Sequence, residues 1–70
     1  MIEVRAQITG VVFRIDKQVG ESVAEGDAIV ILESMKMEIP VEAPAAGTIA
    51  KVEVAVGDSV VEDQVVAILD

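Results

Sequence analysis

One short segment holds the residue types that could do chemistry. Glu33, Lys36 and Glu38 fall close together, and Met35 and Met37 stand on either side of the lysine. An amine between two carboxylates could act as an acid–base pair, which is an enzyme hypothesis, or it could be a solvated surface charge. The chain contains no His and no Cys. Triads, thiol redox chemistry, zinc fingers and the commonest metal ligands are therefore excluded. No other residues offer a cleft or a perturbing partner for Glu33 and Glu38, so the expectation is a non-catalytic, metal-free chain. The two Met side chains are flexible and polarizable, suited either to adaptable contact surfaces or to plugging the open end of a core.

The elements that must position this segment are constrained by size and composition. Seventy residues make one domain spanning 1–70. Five Lys plus Arg against 13 Asp plus Glu give a formal net charge of -8, which repels a polyanionic backbone and excludes nucleic acid as an expected partner. Apolar runs such as 28–32 and 65–69 are far shorter than the roughly 20 residues that cross a bilayer as a helix, so no membrane partner is expected. The first residues lack the basic and long apolar regions of a signal peptide, and a soluble, cytoplasmic chain is the expectation. Val and Ile far outnumber Leu, and Phe13 is the sole aromatic residue. That composition favours strands. With neither disulfide nor metal available, so small a core depends on regular packing.

The regularity is an internal repeat. Gly10 aligns with Gly47, Val19-Gly20 with Val56-Gly57, Ser22-Val23 with Ser59-Val60, and Ile31-Leu32 with Ile68-Leu69, always 37 residues apart. Segment 2–33 thus repeats as 39–70 without a gap. The two halves are expected to form a pseudo-twofold domain in which each completes the other's core, with Lys36 near the axis.

Within each half the apolar residues alternate as in strands. Phe13, Ile15 and Val19 are expected on one face against Arg14, Asp16 and Gln18, and Ala50, Val52, Val54 and Val56 against Lys51, Glu53 and Ala55. Lys17 breaks the pattern, and its stem is expected on apolar surface with its ammonium in water. Pro40 and Pro44 argue against helix and for an edge or bulged strand. Four short strands per half are predicted, near 2–6, 9–16, 22–24 and 28–33, then 38–43, 46–54, 59–61 and 65–69. The fold class is all-β, a flattened barrel or sandwich of two four-stranded sheets. Residues 34–38 belong to neither copy and form a hairpin joining the halves. Of the three lysines, Lys17 and Lys51 lie in strands and Lys36 lies at the hairpin centre.

Glu33-Ser34-Met35-Lys36-Met37-Glu38, with Ala43-Pro44-Ala45-Ala46-Gly47 and Val56-Gly57-Asp58, resembles the biotinyl domain of biotin-dependent carboxylases. The resemblance runs from Ala6 to Asp70 and is nearest to small free-standing biotin/lipoyl attachment proteins. It implies a pseudo-twofold flattened barrel with the acceptor lysine at a hairpin tip. Lys36 is then the site of covalent biotin attachment, Met35 and Met37 are flanking recognition residues, and Glu33 and Glu38 are candidate ligase contacts. The implied partners are a biotin protein ligase and the biotin carboxylase and carboxyltransferase between which a carboxylated biotin is shuttled by a monomeric carrier. A lipoyl carrier on the same fold is the alternative, although lipoyl domains usually present Asp-Lys-Ala around the acceptor. Ser34 stands where Ala is commoner, 7–10 lacks the usual proline, and there is no room for a protruding thumb.

Overall fold

The Val- and Ile-rich stretches all become strands, because β-branched side chains pack well on a pleated surface and lose χ1 freedom in helices. A computed structural model describes residues 1–70 and contains eight strands: β1 Ile2–Arg5, β2 Gly10–Ile15, β3 Ser22–Val23, β4 Ala28–Ser34, β5 Met37–Glu42, β6 Gly47–Val52, β7 Ser59–Val60 and β8 Val65–Leu69. There is no helix. The strands form two four-stranded sheets in the orders β1-β8-β6-β3 and β5-β4-β2-β7. All pairs are antiparallel.

The 37-residue repeat is a structural symmetry. Leu32 pairs with Ile39 as Leu69 pairs with Ile2, and Val30 pairs with Val41 as Ala67 pairs with Val4. Each sheet takes two strands from each half, so neither half owns a sheet. Backbone hydrogen bonds between the halves are reciprocal: Gly20 N–H donates to Ile49 O and Gly57 N–H to Val12 O, both at 2.8 Å, while Gly26 N–H donates to Ala43 O and Asp63 N–H to Ala6 O. The core follows the same rule. Its 15 buried residues include the pairs Val4/Val41, Val12/Ile49, Val23/Val60 and Leu32/Leu69, and no buried residue is polar. Val54 is the core member whose counterpart is polar: Lys17 is half-buried and lies outside the core cluster.

Two expectations are corrected. The alternation along β2 does not run unbroken through Phe13, because a β-bulge between Val12 and Arg14 sets both Phe13 and Arg14 opposite Ile31. The extra residue shifts parity, so Val12 is buried while Phe13 is 44% exposed. A matching irregularity lies between Ile49 and Lys51. Val19 and Val56, expected inward, precede Gly20 and Gly57 in tight turns and are exposed. The second correction concerns the axis. The pseudo-twofold exchanges the β4–β5 hairpin with the paired ends of β8 and β1. Lys36 therefore lies at the opposite end of the fold from the chain termini rather than near the axis.

Three of the 13 carboxylates have a local structural use. Asp27 Oδ2 accepts from Ala24 N–H and Asp58 Oδ2 from Ala55 N–H, both at 2.9 Å, while Glu21 accepts from Gln18 N–H at 2.6 Å. Each carboxylate closes a turn by accepting a backbone N–H three residues earlier. In the fourth turn the Gln64 amide Oε1 accepts from Val61 N–H at 3.0 Å instead, and Asp63 takes the place of Gly26 with φ 75, a conformation Asp tolerates better than most residues. Pro40 sits on β5, an edge strand, where a missing N–H is tolerated.

Gly10 and Gly47 are required by close approach. A Cβ at Gly10 would lie 2.8 Å from the Glu33 carbonyl oxygen, and one at Gly47 would lie 2.8 Å from that of Asp70. Gly10→Ala and Gly47→Ala are each expected to destabilise the fold by about 1–3 kcal/mol through overpacking against backbone. Chemical denaturation monitored by circular dichroism measures this. Unchanged stability in both variants would contradict the packing described.

Candidate functional site

The hairpin joining the halves is tighter than the five residues the repeat leaves over. Ser34 ends β4 and pairs directly with Met37 at the start of β5, so only Met35 and Lys36 form the turn. Both have positive φ, 52 for Met35 and 65 for Lys36. A two-residue loop with both residues left-handed matches the right-handed twist of its strands, and Asn-Gly is the usual sequence for it. Met and Lys at these positions each carry a steric penalty of roughly 1–2 kcal/mol. The strands beneath hold them there. Ile29, Val30 and Leu32 on β4 have no exposed surface, and Val41 on β5 is also buried.

The sequence-predicted site residues come together at this end of the fold. Lys36 is exposed at the apex and enters none of the three ion pairs. Met35 is 91% and Met37 59% exposed, so neither plugs the core. Glu33 and Glu38 are exposed and face each other across the β4–β5 ladder. Like charges directly opposite are destabilising, so this pair contributes nothing to holding the hairpin. Arg14, absent from the sequence-based set, lies within electrostatic reach of Glu38. Its guanidinium is held protonated above the ordinary Arg value, first by the hydrogen bond to Asp16 and the Asp16 charge, and to a smaller degree by Glu38. Nε of Arg14 donates to Asp16 Oδ1 at 2.6 Å. The bulge turns Arg14 toward this face, and a bulge has no reliable mark in one sequence.

The other two lysines are placed differently. Lys17, expected in a strand, instead lies in the connection after β2 ends at Ile15, half-buried with its backbone N–H bonded to Ile29 O, whereas Lys51 is exposed within β6 as expected. The groove of ≈ 370 Å³ is lined by residues including Arg5, Glu25, Pro40 and Glu42, the last two from the far end of β5, and contains none of residues 33–38 at the tip. No group of three or more Asp or Glu is arranged to hold a metal ion. What the tip can do chemically is present one primary amine, on a four-carbon stem, to a partner that reads its surroundings. Such an amine fits covalent attachment of a carboxylic-acid group through an amide.

A family model described as "Biotin-requiring enzyme" (Biotin_lipoyl) matches residues 1–69, and the chain belongs to that family. The chain is 51% identical over 41 residues to "Biotinylated protein TB7.3 homolog" of Mycolicibacterium smegmatis, a match covering 59% of this chain and 58% of that protein. It is 49% identical over 41 residues to the homologue of Mycobacterium leprae, again covering 59% and 58%. The matched region thus spans little more than half the length of these relatives. Among solved structures, the urea carboxylase of Kluyveromyces lactis superposes with TM-score 0.94 at 30% identity, over 99% of this chain and 6% of that one. A single-chain, multi-domain long-chain acyl-CoA carboxylase superposes with TM-score 0.86 at 30% identity, over 94% of this chain and 6% of that one.

The left-handed turn yields a stability prediction. Lys36→Gly removes the Cβ from a residue with φ 65 and is expected to raise stability by about 1 kcal/mol, because glycine adopts this region without penalty. Denaturant midpoints of the two proteins check this. A less stable Lys36→Gly protein would contradict the strained-turn geometry.

Proposed function

We propose that the chain is a biotin carrier domain, covalently modified on Lys36, and that it serves a biotin-dependent carboxylase without catalysing the reaction itself. The observation that carries this reading is the apex of the β4–β5 hairpin: an exposed lysine in a two-residue turn between two exposed methionines. A biotin protein ligase, supplying biotin as an acyl-adenylate, is the loading partner. The neutral Nζ of Lys36 attacks the acyl carbon; the C–N bond forms, the bond to the adenylate oxygen breaks, AMP leaves, and one N–H proton is released to solvent, giving the neutral amide. Met35 and Met37 give the ligase apolar contacts on both sides of the amine, and Glu33 and Glu38 give it charge to read.

Once attached, biotin supplies a ureido nitrogen able to carry a carboxyl group. The rigid sheets beneath the tip hold the base of the tether, while the lysine stem lets the attached group reach two sites in turn. Tethering replaces free diffusion by a high local concentration at the biotin carboxylase and carboxyltransferase sites. The acidic surface keeps the monomer soluble and steers it toward basic active-site mouths. Loading draws on ATP, in keeping with a cytoplasmic setting. The Met neighbours and the biotinylated relatives favour biotin over a lipoyl group.

Incubation with ligase, biotin and ATP is expected to add one biotinyl group per chain, mapped to Lys36 by peptide mass spectrometry. Lys36→Arg should abolish the addition with the fold intact, since a guanidinium stays protonated and cannot attack. Label on Lys17 or Lys51, or lipoyl addition in place of biotin in protein from its native host, would overturn the assignment. The isolated domain should also show no turnover with ATP, bicarbonate and acyl-CoA. Carboxylation by the pure chain would contradict the carrier role.

A further inference from the structure

We propose that Met35 and Met37 form an oxidation switch on the loading of Lys36: peroxide converts their thioethers to sulfoxides, and the oxidised tip is loaded poorly until a sulfoxide reductase restores it. The inference rests on the reading of Lys36 as the biotin acceptor. With no Cys in the chain, its sulfur resides in three Met. Two of them stand on either side of Lys36, at 91% and 59% exposure. The third, Met1, is 87% exposed at the opposite end of the fold and provides an internal comparison.

The chemistry balances with hydrogen peroxide as oxidant. A sulfur lone pair attacks one peroxide oxygen, an S–O bond forms and the O–O bond breaks. The sulfur is oxidised by two electrons, and the peroxide is reduced to water. The product replaces a flexible apolar side chain by a polar one and is reversible by methionine sulfoxide reductases. Any protein that reads this tip meets Met35 and Met37, because they occupy both sides of the amine. A surface fitted to an apolar thioether would have to strip water from the sulfoxide oxygen without offering a donor, an unfavourable exchange. Neither Met belongs to the core cluster. Oxidation therefore leaves the fold intact and acts on recognition.

The test uses the full chain before and after hydrogen peroxide, with sulfoxides mapped by peptide mass spectrometry and initial rates of biotin incorporation measured with ligase, biotin and ATP. The expected result is a fall in kcat/KM of about tenfold or more, unchanged circular dichroism, and recovery after treatment with methionine sulfoxide reductases. The Met35→Leu/Met37→Leu chain should keep its own rate through peroxide treatment; if it loads too slowly to measure, reductase rescue of the native chain decides. Equal rates for native and oxidised chain would overturn the switch, as would a loss that tracks the sulfoxide on Met1. An untreated chain that takes no biotin would instead defeat the carrier reading itself.

Discussion

The structure depends on the reciprocal interlock of two short half-domains that cannot close alone. Gly20 reaches across to Ile49 and Gly57 to Val12, each through a backbone hydrogen bond of 2.8 Å, and each sheet is assembled from both halves. A 70-residue chain without disulfide or metal has little surplus stability, and here the same set of contacts is used twice. The all-apolar core, paired across the repeat at every member but Val54, is the result. Because β4 and β8 are buried in the middle of their sheets, the ends of the fold are fixed by strands that have no freedom to shift register.

That rigidity gives the hairpin its meaning. The repeat fills every strand with a counterpart, and only the connection between the halves has none. At that connection the chain adopts a turn suited to Asn-Gly and fills it with Met and Lys. Strained conformations persist where the surrounding structure over-determines them. The two exposed Met residues and the facing Glu33–Glu38 pair are likewise unfavourable for folding and intelligible as a surface to be read by other proteins. The proposed role of Lys36 as an acceptor needs such a platform more than a pocket, and the groove leaves the tip residues 33–38 uncovered.

A large part of this was legible in the sequence. The fixed 37-residue spacing located the strands to within one or two residues in most cases and isolated Lys36 as the lysine outside the repeat. Three features were not legible, each for a physical reason. The bulge that turns Phe13 outward depends on one extra residue in a ladder, and alternation of side chains cannot reveal where the parity breaks. The distance of Lys36 from the pseudo-axis follows from which strands pair across the halves, a non-local fact. The turn-closing carboxylates Glu21, Asp27 and Asp58 looked like general surface charge, although their recurrence one residue after Gly20, Gly26 and Gly57 was a usable signal.

The central claim is that turn geometry, rather than the mere presence of an exposed lysine, makes this chain an acceptor. Exchanging two neighbours, Lys36→Met with Met37→Lys, tests it most directly, since composition and net charge are unchanged. Position 37 is also exposed, but it opens β5 and pairs with Ser34 instead of standing in the turn. Small misplacements of a reacting group can lower a rate about a hundredfold. The measurement is the initial rate of biotin incorporation, read by streptavidin binding, alongside circular dichroism to establish that the exchanged protein is folded. The expected result is a folded protein that is loaded about a hundredfold more slowly than the parent. A folded protein biotinylated at the parent rate would show that presentation by the hairpin turn is not what selects the lysine.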